Sequence, residues 1–299
     1  MKLNQLRDVV AIVEHGSLRA AARHLDVAQP LLTRSVRALE KELGVTLFER
    51  DAQGMTLTAS GRLFHLRASV VINELRRAQD ELGQALGEEG GAVSAGLSIM
   101  PHTGLLPDAL PAFRRRYPKV LLQLIEGLFP ALEGRLRDGT LDFYLGAAPR
   151  LPPTSGLTVQ TLFGNERVVV ARQGHPLAQA RSLEQLLHAD WATPSIDYNA
   201  SEDLALVFAR HQLGEPRIVL QASSALSLMV ALTRSDLLAM LPRQWGDFPL
   251  TAQGLQIIPV RERLPAPDIV LIRRPDLPLT PAAEHLVDLM LRSSPRPAP

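Results

Sequence analysis

At 299 residues the chain is long enough for two or three domains, on a soft prior of about 150 residues each. Its 46% hydrophobic and 21% charged residues are those of a globular protein and exclude a disordered one. Cysteine is absent, which excludes disulfides, zinc–thiolate centres and cysteine nucleophiles and fits a cytoplasmic location. The net charge of +1 gives no sign of a nucleic-acid binder, but phosphate attraction depends on local charge. No apolar run approaches the roughly 20 residues that cross a bilayer, so no membrane partner is expected. The opening MKLNQLRDVV reads as an amphipathic helix and not as a signal peptide.

Residues 2–15 read as a first helix, with Leu3, Leu6, Val9, Val10 and Val13 on one side. Gly16-Ser17 is a helix start, and Leu18, Ala21, Ala22 and Leu25 line one face of the helix that follows. Asp26-Val27 breaks the pattern. From Gln29 a further helix is expected, with Leu32, Val36, Leu39 and Leu43 buried and Gln29, Thr33, Arg34 and Arg37 on the opposite side; Gly44 stops it. Residues 45–50 and 55–58 alternate like strands around the turn Asp51-Ala52-Gln53-Gly54, which makes a wing. Two short helices, a tight turn and a ribbon have few uses other than placing the second helix in a DNA groove.

Thr58 sits where a helix cap belongs, and no proline interrupts the chain from there to Gly87. Val71, Leu75, Ala78, Leu82 and Ala85 repeat at four, three, four and three, the spacing of a coiled-coil seam, although a long surface helix packed on its own domain also fits. Gly87-Glu88-Glu89-Gly90-Gly91 reads as a hinge. Beyond it short apolar strands alternate with helices, and parallel α/β sheets are expected. The strand candidates are 93–100, 120–126, 143–147, 157–162, 167–171, 217–221, 237–241, 255–260 and 268–273; the helix candidates are 105–116, 131–138, 182–187, 202–211, 225–234 and 280–292.

The N-terminal residues also resemble a family. Ala21-Ala22, Leu25, Gln29-Pro30, Leu39-Glu40, Leu43-Gly44, Leu47-Phe48-Arg50 and Leu57-Thr58-Ala59-Ser60-Gly61 stand in the order and spacing of the LysR-type transcriptional regulators, over about 60 residues. The chain departs from the pattern at Ala28 and Thr33, where the family has Ser, and at Leu31, where it has Ala. Ala28 cannot cap the recognition helix, a loss of roughly 1 kcal/mol. The resemblance implies an all-α winged helix-turn-helix over 1–58, a dimerising linker helix over 59–87, a hinge at 88–91 and an effector-binding domain over 92–299. That last domain is a two-lobed, periplasmic-binding-protein-like (type 2) α/β fold, with lobe one at 92–161 and 268–299 and lobe two at 162–267. His175-Pro176-Leu177-Ala178 matches a recurrent turn of the family at the start of lobe two.

Chemistry follows from these placements. Side chains at the N-terminal end of a groove-bound helix reach base edges. Gln29 can pair with adenine, Arg34 with guanine or a phosphate, and the ring of Pro30 can pack on a thymine methyl, while Thr33 offers a hydroxyl and a methyl. Arg37 and Arg50 suit the phosphate backbone, or an internal ion pair to Glu40 or Glu49. Residues 1–70 carry ten Lys/Arg against seven Asp/Glu, a local net charge of +3. The seam of Val71, Leu75, Ala78 and Leu82 would pair two subunits, so that the DNA site is an inverted repeat.

Ligands of α/β sheets settle beyond the carboxyl ends of strands. That rule points to Met100, Pro101, His102 and Thr103, to Phe129 and Pro130, and to Ser195, Ile196, Tyr198 and Ser223. Helix starts favour anions, so a small carboxylate or sulfonate, with an aromatic body to match Phe129 and Tyr198, is the expected effector, with no other cofactor. Thr103 and Ser224 also suit helix caps, Phe129 and Tyr198 suit lobe packing, and Trp245 suits a core edge. Double-stranded promoter DNA, a second copy of the chain in a homodimer or homotetramer and, for an activator, RNA polymerase are the partners implied. As the resemblance has it, the effector alters the angle between lobes and acts through 87–91 on the recognition helices. No nucleophile elbow, phosphate loop or metal-binding histidine pair points to an enzyme. A transport-system solute-binding protein and an architectural DNA binder are the alternatives from other classes.

Overall fold

In the computed structural model, residues 1–51, 54–87, 90–153, 156–194, 200–275 and 277–293 are described, with the backbone alone at 50, 51 and 54. Two units are distinguished, Met1–Gly91 with Gly134–Leu141, and Ala92–Glu133 with Asp142–Pro299.

The first unit opens with helices α1 (Leu3–His15), α2 (Leu18–His24) and α3 (Gln29–Leu43). The Ser17 hydroxyl accepts from the Ala20 N–H at 3.2 Å and starts α2. Val9, Ile12, Leu18, Ala21, Leu32, Val36 and Leu39 make one core, and Ala21 is small enough for close helix crossing. Leu43, expected inside, is 37% exposed: it lies in the last turn, where α3 runs past its neighbours before Gly44 ends it at φ 70°. Strands β1 (Phe48–Asp51) and β2 (Gly54–Leu57) pair antiparallel as the wing, with Phe48 opposite Leu57. The Glu40 carboxylate of α3 accepts from the N–H groups of Leu47 and Phe48 at 2.8 and 3.2 Å, which ties the wing to the helix. Among the described residues no ion pair joins Arg37 to Glu40, the alternative to a phosphate contact.

Helix α4 spans Ala59–Ala85, about 40 Å at 1.5 Å per residue. Thr58 caps it, accepting from Gly61 N–H at 2.9 Å. Val71, Leu75, Ala78 and Leu82 all face solvent in the single chain, with Val71, Leu75 and Leu82 at 47%, 41% and 62% exposure. Of the hinge, Glu88 and Glu89 lie outside the described residues. Gly90 is held, because its carbonyl accepts from Gln84 Nε2 at 3.2 Å.

The second unit holds two sheets. Lobe one has β3 (Ala92–Leu97), α5 (Ile99–Gly104), α6 (Leu106–Arg116), β4 (Leu121–Glu126), α7 (Phe129–Arg137), β5 (Phe143–Ala147) and β6 (Thr158–Phe163). Lobe two has β7 (Glu166–Arg172), β8 (Asp190–Pro194), α8 (Ala200–Arg210), β9 (Arg217–Ala222), α9 (Ala225–Arg234), β10 (Leu237–Pro242), α10 (Arg243–Asp247), α11 (Pro249–Ala252), β11 (Leu255–Ile258) and β12 (Leu264–Pro265). The chain then returns to lobe one as β13 (Ile269–Arg273) and α12 (Pro281–Arg292).

The sheet orders are β4-β3-β5-β13-β6 and β11-β7-β10-β8-β9, with β12 on β7. Both sheets are mixed, not purely parallel. β13 runs antiparallel to β5 and β6, and β7 antiparallel to β10 and β11; both strands enter their lobe directly from a crossover. β6 extends to Phe163, which pairs with Ile269, so lobe one ends two residues later than expected. The strand expected over 93–100 stops at Leu97, and Ser98 opens α5 instead. The helix expected over 182–187 is a single 3-10 turn, Glu184–Leu186.

Gly61 stands where any side chain would collide: a Cβ there would lie 2.0 Å from the Leu47 carbonyl oxygen. Alanine favours helix by up to about 1 kcal/mol over glycine, but overpacking against backbone costs about 1–3 kcal/mol. Gly61→Ala is therefore expected to lower the melting temperature of the protein, and a thermal denaturation scan reads it directly.

Candidate DNA-binding face and effector cavity

Helix α3 is divided lengthwise. Leu32, Val36 and Leu39 are 1%, 4% and 0% exposed, while Gln29, Pro30, Leu31, Arg34 and Arg37 face solvent and Thr33 is half-buried. The structure thus brings Gln29, Pro30, Thr33, Arg34 and Arg37 onto one surface. Thr33 Oγ1 donates to the Gln29 carbonyl at 3.0 Å, and Arg34 Nε donates to the Pro30 carbonyl at 3.4 Å, contacts that steer both side chains back along the N-terminal turn. Among the described residues no carboxylate neutralises Arg34 or Arg37. Ala28 holds the cap position at φ −69° and ψ 131° and makes no side-chain bond there. Arg50 lies in the wing strand β1, and its side chain falls outside the described residues.

Ser35 donates to the buried carboxylate of Asp8 at 2.5 Å and fixes α3 against α1. On α4, burial lowers the pKa of His65 from its ordinary value, against the opposing pull of Asp138 and Glu14.

In the second unit a cavity of about 260 Å³ lies between the lobes. Of the residues expected to contact an effector, Met100, Pro130 and Ser223 line it. Pro101, His102, Thr103 and Phe129 do not. The segment after β3 is helical and carries the chain away from the cleft, so only its start, Ser98, Ile99 and Met100, borders the cavity. His102 Nδ1 turns back to the Ser98 carbonyl at 3.1 Å, and Thr103 Oγ1 donates to the Ile99 carbonyl at 3.1 Å. Phe129 is 2% exposed and packs edge-on to Tyr144, ring centroids 5.6 Å apart. Ser195, Ile196 and Tyr198 lie outside the described residues.

Sequence reasoning missed the crossover residues. Asn165, Arg167, Ala266 and Pro267 line the cavity, as do Thr193 and Pro194 of β8. The double crossing of the chain was the available signal: segments that join the lobes must border the space between them. Arg167 is an occupied cation, pairing with Asp203 at 3.0 Å and donating to the Pro265 carbonyl at 3.3 Å. Asn165 Oδ1 is buried and has no partner among the described residues. Glu126, at the end of β4, accepts from the Ala225 N–H at 3.2 Å, where α9 begins. Trp245 is a core residue, 3% exposed among Val168, Leu228 and Leu241. His175 is likewise structural, with Nδ1 accepting from Leu177 N–H and Nε2 against the Asp236 carbonyl.

An exposed, uncompensated helix face beside a wing defines a DNA-reading module, and a two-lobed α/β cleft defines a small-molecule sensor. The comparisons agree. A family model described as "Bacterial regulatory helix-turn-helix protein, lysR family" matches residues 3–62, and one described as "LysR substrate binding domain" matches residues 86–295. The chain is 30% identical to the HTH-type transcriptional regulator GalR of Pseudomonas putida, over 95% of this chain and 72% of that protein. It is 29% identical to the SDS degradation transcriptional activation protein of a Pseudomonas species, over 99% and 98%. The backbone matches full-length CbnR complexed with target DNA at a TM-score of 0.71 and 22% identity, over 98% of this chain and 100% of that one.

The chain belongs to the LysR family. It is a DNA-binding transcriptional regulator with an effector-binding domain, in a family of regulators and not of enzymes. Among the described residues no helix is long and apolar enough to cross a membrane.

Two substitutions in α3 separate stability from recognition. Ala28→Ser supplies the missing cap and is expected to stabilise the protein by about 1 kcal/mol, seen as a raised melting temperature. Arg34→Ala is expected to weaken specific DNA binding by about 1–3 kcal/mol and to relax one position of the half-site in a binding titration. Unchanged affinity with unchanged base preference overturns the role given to Arg34.

Proposed function

We propose that the protein acts in the cytoplasm as a ligand-responsive regulator that binds promoter inverted repeats as a homodimer, assembled further into a homotetramer. The exposed stripe of Val71, Leu75, Ala78 and Leu82 supports the pairing, because an apolar row on one helix is covered most economically by the same row of a second copy. Gln29, Pro30, Thr33 and Arg34 read bases, and Arg37 and Arg50 grip phosphates. An activator output would add RNA polymerase as a partner.

The effector is a small anion with an apolar, preferably aromatic, body, a carboxylate or sulfonate, and it occupies the interlobe cavity. The observation that carries the ligand-binding part of this reading is the cavity itself: about 260 Å³ with Met100, Leu128, Pro130, Leu204 and Met240 in its apolar wall and a minority of polar residues, Glu126 and Arg167 among them. That volume is just below the usual range of about 300–1,000 Å³ and suits a single ring. The hydroxyls of Ser98, Thr193, Ser223 and Ser224 border it, and α8 begins there at Ala200 with its N-terminal N–H groups, while the start of α9 is already met by the Glu126 carboxylate.

Calorimetric titration of the full-length protein with benzoate, benzenesulfonate, benzamide and benzylamine tests the class. Heat from the two acids alone is expected. Binding of only the amide or the amine overturns the anionic assignment, and loss of acid binding in Met240→Trp, which fills the cavity, locates the site.

A further inference from the structure

The long helix α4 buries one arginine. Arg77 is 7% exposed, and its guanidinium Nη2 donates to the carbonyls of Gly139 at 3.1 Å and Leu141 at 2.9 Å. Nη1 meets Glu74 at 3.2 Å, so the charge is paired within the same helix. One turn earlier Asn73 Nδ2 donates to the Asp138 carbonyl at 2.9 Å. Two side chains of one helix thus hold three carbonyls of a single four-residue turn. The turn is built for this. Gly139 has φ +79°, Asp138 Oδ1 accepts from Thr140 N–H at 2.9 Å, and Leu141 N–H closes onto the Arg135 carbonyl at 2.8 Å. A planar guanidinium can engage two carbonyls at once in a fixed geometry, which a lysine ammonium on a flexible stem does not enforce.

The clamp and the apolar stripe share the helix. At about 100° per residue, the mean direction of positions 73 and 77 lies about 150° from that of positions 71, 75, 78 and 82. One face of α4 is therefore committed to the Asp138–Leu141 turn and the other is open. The turn ends α7, whose first residues include Pro130 and Ala131 of the cavity wall. The glycine segment after α4 is itself held at its end. Gln84 holds the Gly90 carbonyl, and a Cβ on Gly91 would lie 2.9 Å from the Asp80 carboxyl carbon.

We infer that Arg77 and Asn73 are positioning residues that lock the linker helix to the turn at the end of α7, so that the rotation of α4, and through it the spacing of paired recognition helices, is set by this turn and not by the glycines at 87–91. The inference rests on the dimeric reading above and assigns the element that controls it. No residue of the clamp lines the cavity.

Selection of binding sites from a random duplex DNA library tests it with no effector needed. The full-length protein is compared with Arg77→Met, Asn73→Leu and a variant with two glycines inserted after Gly90. All four are expected to select the same half-site sequence, since α3 is untouched. Arg77→Met and Asn73→Leu are expected to shift the spacing between half-sites by at least one base pair or to double the spread of selected spacings, while the insertion keeps the parent spacing. Parent spacing in both clamp variants, or a shift caused by the insertion alone, overturns the inference. Melting curves identify a variant that fails to fold; if Arg77→Met does, Asn73→Leu decides. Single half-sites selected by the parent protein overturn the dimeric reading itself, and the clamp's role in spacing with it.

Discussion

The peptide unit at Leu47 is the junction of the DNA-reading module. Its N–H goes to the Glu40 carboxylate of the recognition helix, and its carbonyl accepts from Thr58 N–H at 3.0 Å and lies under Gly61 at the start of the linker helix. Its side chain is fully buried in the core of α1–α3. Recognition helix, wing and linker helix are thus fixed to one residue by hydrogen bonds, van der Waals contact and apolar burial. A buried backbone group left unpaired costs about 1–3 kcal/mol, so none of the three elements can shift alone without exposing that cost. The requirement accounts for a glycine one turn into α4, where helix propensity argues against it.

This junction also explains why the recognition face was legible in the sequence. The alternation of Leu32, Val36 and Leu39 with Gln29, Thr33, Arg34 and Arg37 follows the helical period, and the structure exposes and buries the two sets accordingly. Leu43 broke the rule because periodicity predicts which side a residue faces and not whether a neighbour is there to cover it. Ala28 is an open cap in both sequence and structure. Glu40 was read as a surface charge available to Arg37, and its use as an acceptor for two wing N–H groups depends on where the chain returns seven residues later, which spacing alone does not encode.

The effector region was less legible, for topological reasons. β8 reads DWATP, short and ending in proline, and carries no alternating signal, yet it lies inside its sheet with Trp191 and Ala192 fully buried. Strand ends were marked correctly as the rim of the cleft, but the rule names a loop and not the side chains that turn inward. The strand ends at Leu97, three residues before its expected end, and the helix that begins at Ser98 leaves the polar atoms of His102 and Thr103 on backbone carbonyls. Asn165 belongs to a crossover and Arg167 to the strand it enters, and their place in the cavity depends on a chain path closed only when β13 returns to lobe one about a hundred residues later.

The contacts around the cavity and those on the linker helix differ in kind, and the difference suits a switch. The two lobes are bridged by Arg150 with Glu202 and Asp203, and by Glu126 with the Ala225 N–H, groups that are in part well exposed to solvent. Exposed ion pairs contribute about 0–1 kcal/mol, so these polar bridges oppose a change of lobe arrangement only weakly, and Ile99 of α5 adds an apolar contact with the lobe-two core. A ligand shifts such an equilibrium only by binding one arrangement more tightly. Arg77 is buried and its carbonyl partners are out of water, so its bonds cannot be traded cheaply for solvent. A soft contact at the sensing end and a stiff one on the helix is the order needed if movement of α7 is to turn α4 without being lost in slack between them. The reverse order would let the helix slip while the cleft stayed shut.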